Sequence, residues 1–185
     1  MIKNTLRKTY LQIRKNTDGK SEKSSEIRRR LFENECFKNA KTLAVYCSLP
    51  DEVETDGIIE NALAMGKSVV VPKIISPGIM KFYRIMGISQ LAPSYHFGIR
   101  EPDDLCEEVS AKDIQLAVVP GVCFDLSKSR IGQGGGYYDR YLAGCDSAIK
   151  VGICFDSQIL KDSYIPCEKT DIKMDLIITE KEVIS

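Results

Sequence analysis

Eleven residues in the second half of the chain, Arg130-Ile131-Gly132-Gln133-Gly134-Gly135-Gly136-Tyr137-Tyr138-Asp139-Arg140, limit what it can fold into more than any other stretch. Four of them are glycines, which removes the Cβ atoms that would hold a ligand off the backbone. Glycine also permits φ > 0, so successive N–H groups can converge into a concave nest for an anion. Upstream, the apolar run 116–124 reads as a buried strand. Downstream, Tyr137, Tyr138, Tyr141 and Leu142 recur at the spacing of one helix face. A strand, a glycine-rich loop and a helix N-terminus in that order predict a site for phosphate.

The loop fits neither common nucleotide fingerprint. A Walker A loop ends in Gly-Lys-Ser/Thr, and no such string occurs here. A dinucleotide fingerprint opens a first βα unit, whereas this loop comes late and its glycines are wrongly spaced. A flexible surface turn would account for the glycines alone. It would not require Arg130, Tyr137, Tyr138 and Asp139 around them.

At 185 residues the chain reads as one domain, 1–185, able to bury a core. Its 26 basic and 26 acidic residues cancel, so it lacks the basic excess of a nucleic-acid binder. The only basic cluster, Arg28-Arg29-Arg30, reads as a solvated helix face. No stretch approaches the ~18 apolar residues of a membrane span, and the polar N-terminus does not resemble a signal peptide. Seven cysteines without a Cys-x-x-Cys pair, beside one histidine (His96), offer little to zinc. They read as reduced thiols, which makes the cytoplasm the expected compartment.

Residues 1–15 form an amphipathic helix, 16–24 a polar break, and 26–37 a second helix. After that the pattern alternates. Strands are predicted over 42–46, 68–72, 80–84, 116–119, 148–154 and 175–179, and a helix over 55–65 capped by Thr55 or Asp56. Residues 93–104 read as irregular. This is an α/β chain with a mostly parallel sheet and helices on both sides. Ligands in such folds sit beyond the carboxyl ends of strands, which points to the loops after residues 46, 72, 124 and 154.

Other candidates gather in those loops. Glu52 and Glu54 follow the first strand. They read either as helix N-terminal acids or as acceptors for adjacent N–H donors of an amino-pyrimidine-like group. Lys3 and Arg7, four apart on one helix face, could hold phosphate oxygens or simply face solvent. Asp139 and Asp175 form an oxygen pair of the kind that suits Mg²⁺ beside substrate phosphates. His96, in an irregular loop, reads as structural. From the residues alone, a phosphate-binding α/β enzyme using Mg²⁺-nucleotide results. An enzyme for a sugar phosphate or a coenzyme A thioester, and a non-catalytic nucleotide or folate regulator, stay open.

Taken together, the chain from Lys3 to about Thr179 resembles the 5-formyltetrahydrofolate cyclo-ligase (methenyltetrahydrofolate synthetase) family. The glycine loop followed by Tyr-Tyr-Asp is the most specific string. It is joined by Lys3-x-x-Leu6-Arg7, Ser48 to Thr55, Val71-Pro72-Lys73, Phe97-Gly98-Ile99-Arg100-Glu101-Pro102, Val119-Pro120-Gly121-Val122 and Met174-Asp175. The resemblance implies a three-layer α/β/α sandwich that converts 5-formyltetrahydrofolate and ATP to 5,10-methenyltetrahydrofolate, ADP and phosphate. It places Lys3, Arg7, Arg130, Ile131, Gly132, Gln133, Gly134, Gly135, Gly136, Tyr137 and Tyr138 on ATP. It places Glu52 (or its neighbour Glu54) and Gln133 to Tyr137 on the folate, and Asp139 and Asp175 on Mg²⁺. Arg130 and Tyr137 would act in the chemical step. Some relatives carry a lysine where Gly135 stands, so here the loop backbone, Lys3, Arg7 and Arg130 must hold the phosphates. The expected partners are small molecules, without nucleic acid or membrane, and the expected form is a monomer.

Overall fold

The computed structural model describes residues 2–94 and 98–185; His96 and Phe97 of the sequence reading lie outside them. Three helices open the chain, α1 (Ile2–Lys15), α2 (Lys20–Glu33) and α3 (Glu35–Asn39). β1 (Thr42–Val45), α4 (Asp56–Ala64), β2 (Ser68–Ser76) and β3 (Ile79–Ile85) follow. Three short strands come next: β4 (Leu91–Pro93), β5 (Arg100–Pro102) and β6 (Glu108–Val109). β7 (Leu116–Val119), β8 (Cys123–Asp125) and β9 (Arg130–Ile131) lead into α5 (Tyr137–Leu142). The chain ends with β10 (Ile149–Ile153), β11 (Ile159–Leu160), β12 (Leu176–Ile178) and β13 (Val183–Ile184).

The main sheet has the order β13-β12-β10-β7-β1-β2-β3-β6. Its five middle strands are mutually parallel, and β3, β6 and β13 add antiparallel edges. The parallel strands are apolar on both faces because both faces are covered. Leu43, Val45, Val69, Val71, Leu116 and Val118 pack against Ile27 and Leu31 of α2 and Ile58 and Ile59 of α4. The alternate residues Ala44, Val70, Ala117 and Val119 pack with Phe124 of β8 and Leu142 of α5. The three layers expected from the resemblance are therefore present. The second outer layer is mostly a small sheet, β11-β8-β9, beside one short helix.

Three local expectations change. The helix expected from residue 26 starts at Lys20, because its first turns are polar and carry no apolar period; Gly19 enters it at φ 62°. That helix ends at Glu33 instead of continuing to 37, since the Asn34 side chain accepts from the Cys36 amide and starts α3. The run 116–124 is not one strand. It breaks at Pro120-Gly121, and β8 joins the small sheet. Within 93–104, β4 and β5 pair antiparallel.

Candidate functional site

Strand order reverses around β1 and β7, which lie side by side with β2 on one flank and β10 on the other. A crevice at the carboxyl ends of such strands is where open α/β sheets bind ligands. The β8–β9 hairpin brings the glycine loop to this position. Asp125, fully buried, accepts from the amides of Ser127, Ser129 and Ile165 and so fixes the turn. The Phe124 ring lies against both Gly121 and Gly152, where a Cβ would meet it at 2.4 and 2.6 Å. That close fit holds the hairpin, and Arg130 with it, against β10.

Arg130 is the centre of the site. Its Nη2 donates to Asp139 Oδ1 at 2.9 Å, and its guanidinium lies 5.7 Å from the centre of the Tyr138 ring. Its Nε is buried without a hydrogen-bond partner among the described residues. A buried donor left unpaired is costly, and an anionic oxygen would satisfy it. Asp139 Oδ1 also accepts from the Ile172 amide at 3.2 Å, so the segment before β12 closes over α5. Next to Ile172, Asp171 accepts from the Glu168 amide and from Lys3 Nζ, both within hydrogen-bond range. Burial pushes the Asp171 carboxyl upward, but these partners and the Arg130 charge hold it below its ordinary value. Burial also opposes the Lys3 charge, and its bonds to Asp171 and Glu168 more than offset that.

α1 lies along the loop. Arg7 Nε donates to the Gly132 carbonyl at 2.8 Å, and its guanidinium borders Gly134. Gly134 and Gly136 have φ of 102° and 64°, values that explain why glycine stands at both. α5 has only six residues, so its dipole is small and the loop amides and cations carry the attraction for anions. A further cation stands under the loop: Arg140 donates to the Gly78 carbonyl at 2.8 Å and to the Gly135 carbonyl. It ties the loop to the β2–β3 turn.

The loop after β1 forms the other wall. Glu52 Oε1 accepts from Arg14 Nη1 at 2.9 Å and Oε2 from the Leu49 amide at 3.0 Å. Arg14, on α1 and only 2% exposed, also bonds Asp51. Burial raises the Glu52 carboxyl above its usual range, with Arg14 and the Leu49 amide pulling it back. Tyr46 donates to the Val53 carbonyl at 3.0 Å and closes the loop. Tyr138 packs against the core cluster that contains Tyr46, Cys47 and Val53, and carries the Arg130 guanidinium over its ring. Burial pushes the Cys47 thiol up to about 12, which leaves it protonated and unreactive.

The structure thus gathers Lys3, Arg7, Arg130, Gly132 to Gly136, Tyr138, Asp139 and Glu52. Gln133 and Gly135 are exposed on the loop, and Tyr137 lies beside Arg140. Glu54 is exposed, and its backbone amide donates to Ser24 Oγ. The expected pair of Asp139 with Asp175 is not formed. Asp175 Oδ2 accepts from the Lys150 amide, and Lys150 pairs with Ala117, the second residue of β7. Arg130, which holds Asp139, instead reaches the Pro120 carbonyl beyond the end of β7. Asp171 is the carboxylate next to Ile172, whose amide bonds Asp139, and neither spacing nor composition marked it. Arg14 and Arg140 were also missed; Arg14 follows Arg7 by seven residues on the same helix face, a signal that was available.

The sequence matches the 5-formyltetrahydrofolate cyclo-ligase family over residues 1–180. A Schizosaccharomyces pombe protein named probable 5-formyltetrahydrofolate cyclo-ligase is 34% identical over 161 residues, covering 80% of this chain and 79% of its own. The NMR structure of Aquifex aeolicus 5,10-methenyltetrahydrofolate synthetase aligns with a TM-score of 0.85 at 33% identity, over 99% of this chain and 92% of its own. The Mycoplasma pneumoniae 5,10-methenyltetrahydrofolate synthetase structure aligns with a TM-score of 0.76 at 28% identity, over 97% and 99%. With the match running through both the central sheet and the glycine loop, the chain belongs to the 5-formyltetrahydrofolate cyclo-ligase family.

Proposed function

We propose that this chain closes 5-formyltetrahydrofolate to 5,10-methenyltetrahydrofolate at the expense of ATP, releasing ADP and phosphate. One observation carries the reading within this family. Arg130 bonds Asp139 on one side and lies over the Tyr138 ring on the other, with its buried Nε unpaired among the described residues. A cation so placed serves a phosphoryl group passing from a nucleotide on one side to an acceptor on the other.

An N-formyl oxygen is a poor leaving group. In the first step it takes the γ-phosphoryl, breaking the bond to ADP and leaving an iminium phosphate. The N10 amine then adds to the activated carbon, loses its proton, and the former formyl oxygen departs within inorganic phosphate. No protein nucleophile is required, so the residues align the partners and neutralise charge. Arg130, Lys3, Arg7 and the loop amides face the phosphates. Tyr137 and Gln133 border both substrates, and Glu52 accepts from the pterin N–H groups. Asp139 and Asp171 supply the hard oxygen donors that suit Mg²⁺, which when bound would neutralise phosphate charge. The test is absorbance of the methenyl product. It should appear with ATP and Mg²⁺ and be absent without nucleotide; product formed equally well without ATP would overturn the reading.

A further inference from the structure

α1 has an apolar side, yet the only buried residue among its described positions is a cation, Arg14. Arginine is almost never fully buried unless it is paired. Here every nitrogen of the guanidinium is engaged. Nε and Nη2 lie 3.0 and 2.9 Å from Asp51 Oδ2, and Nη1 donates to Glu52 Oε1 at 2.9 Å. A buried ion pair adds little stability over an apolar side chain of similar volume, so anchoring α1 would not require arginine.

The two carboxylates differ in their access to water. The Asp51 side chain is 32% exposed and that of Glu52 10%. One guanidinium faces both, so the trio holds one negative charge in excess. Asp51 spreads its share into solvent, and Glu52 depends on Arg14 for its own. The Leu49 amide holds Glu52 Oε2 at 3.0 Å from within the loop, a single bond about which the carboxylate could still turn. Arg14 holds the other oxygen from a different element, and two held oxygens fix the carboxylate plane. Each oxygen keeps a lone pair for a further donor. The other titratable groups packed around this loop are Cys47, Tyr46 and Tyr138, all kept neutral by burial, with Arg130 beyond them over the Tyr138 ring. On the proposed reading of the site, we infer that Arg14 is a positioning residue for folate binding: it orients the Glu52 carboxylate toward the pterin N–H groups and balances its charge against that of Asp51, without touching either substrate.

The test is titration with 5-formyltetrahydrofolate and with ADP of Arg14→Gln, Arg14→Lys, Asp51→Asn, Glu52→Gln and the Arg14→Gln/Glu52→Gln double variant. At about pH 7, Arg14→Gln should bind folate about 10-fold or more weakly, but lose no more than Glu52→Gln does. Its ADP affinity should be unchanged. A mere anchor for α1 would weaken ADP as well, because the same helix carries Lys3 and Arg7. Adding Arg14→Gln to Glu52→Gln should cost less than about 2-fold further, since Arg14 acts only through that carboxylate. Arg14→Lys keeps the charge but not the fork and should fall in between. The charge balance also sets a direction for the pH profile of folate affinity between about pH 5 and 8. Relative to the parent, the loss on the acid side should move to higher pH in Arg14→Gln and to lower pH in Asp51→Asn. The inference is overturned by an ADP loss that matches the folate loss in Arg14→Gln, by additive losses in the double variant, or by acid limbs that do not part in opposite directions. Should Arg14→Gln fail to fold, Asp51→Asn decides, and an unmoved acid limb there overturns it. A parent protein that binds no folate, or a Glu52→Gln variant that binds it normally, would overturn the reading of the site itself, a separate result.

Discussion

At the scale of single residues, the site is a set of charges held by partners outside it. Glu52 illustrates the cost. Its folded-state pKa lies above the ordinary 4.5 because it is buried, so the folded protein binds that proton more tightly than the unfolded chain. Its contribution to stability is therefore greatest below the unfolded value and declines as pH rises through the raised folded one. Glu52→Gln lacks this decline. Melting curves at about pH 4 and pH 7 should show the stability difference shifting toward the variant at the higher pH; a shift toward the parent would contradict the assignment. The same variant should bind folate roughly 10- to 150-fold more weakly, since a charge-assisted bond is lost, with nucleotide affinity nearly unchanged. Asp139 and Asp171 give a second residue-scale prediction. Asp139→Asn and Asp171→Asn should each lower turnover on the order of 10²-fold. Asp175→Asn, at the amino end of β12, should stay near the parent rate. Steady-state rates at limiting Mg²⁺ decide it, and equal losses in Asp175→Asn would restore the pair expected from sequence.

At the scale of elements, the fit of one ring to two glycines fixes the site's position. A Cβ on Gly152 would meet Phe124 Cε1 at 2.6 Å and Met174 Cγ at 3.2 Å. Gly152→Ala should therefore cost about 1–3 kcal/mol in denaturant unfolding, as overpacking does. It should also weaken ADP binding, because displacing Phe124 moves the hairpin that carries Arg130. Full stability with unchanged ADP affinity would show that the contact is dispensable. Periodicity alone exposed the elements that pack through apolar side chains: β7, β10, β12, α1 and α4 fall close to where the pattern puts them. It failed where polar atoms decide the backbone. The start of α2 is a polar surface, and the break at Asn34 is a side-chain cap. The loop site was legible as glycines and an arginine. Asp171 was not, because the amide of its neighbour Ile172 ties this segment to Asp139, a tertiary arrangement that spacing does not encode.

At the scale of the whole molecule, the proposed function brings the two substrates together where two chain segments far apart in sequence converge. The β1 loop supplies Glu52, and the loop after β9 supplies the phosphate cradle. α1 spans both, with Arg7 on the glycine loop, Arg14 on the β1 loop and Lys3 on Asp171 before β12. Among the described residues no helix is long and apolar enough to cross a membrane. All seven thiols are free. On the proposed reading, the arrangement serves one event, transfer of a phosphoryl group to the formyl oxygen in front of Arg130. The most direct measurement of that event follows the oxygen itself. With 5-formyltetrahydrofolate carrying heavy oxygen in its formyl group, a single turnover with ATP and Mg²⁺ should place the label in the inorganic phosphate. Label recovered in water, with unlabelled phosphate, would contradict the account.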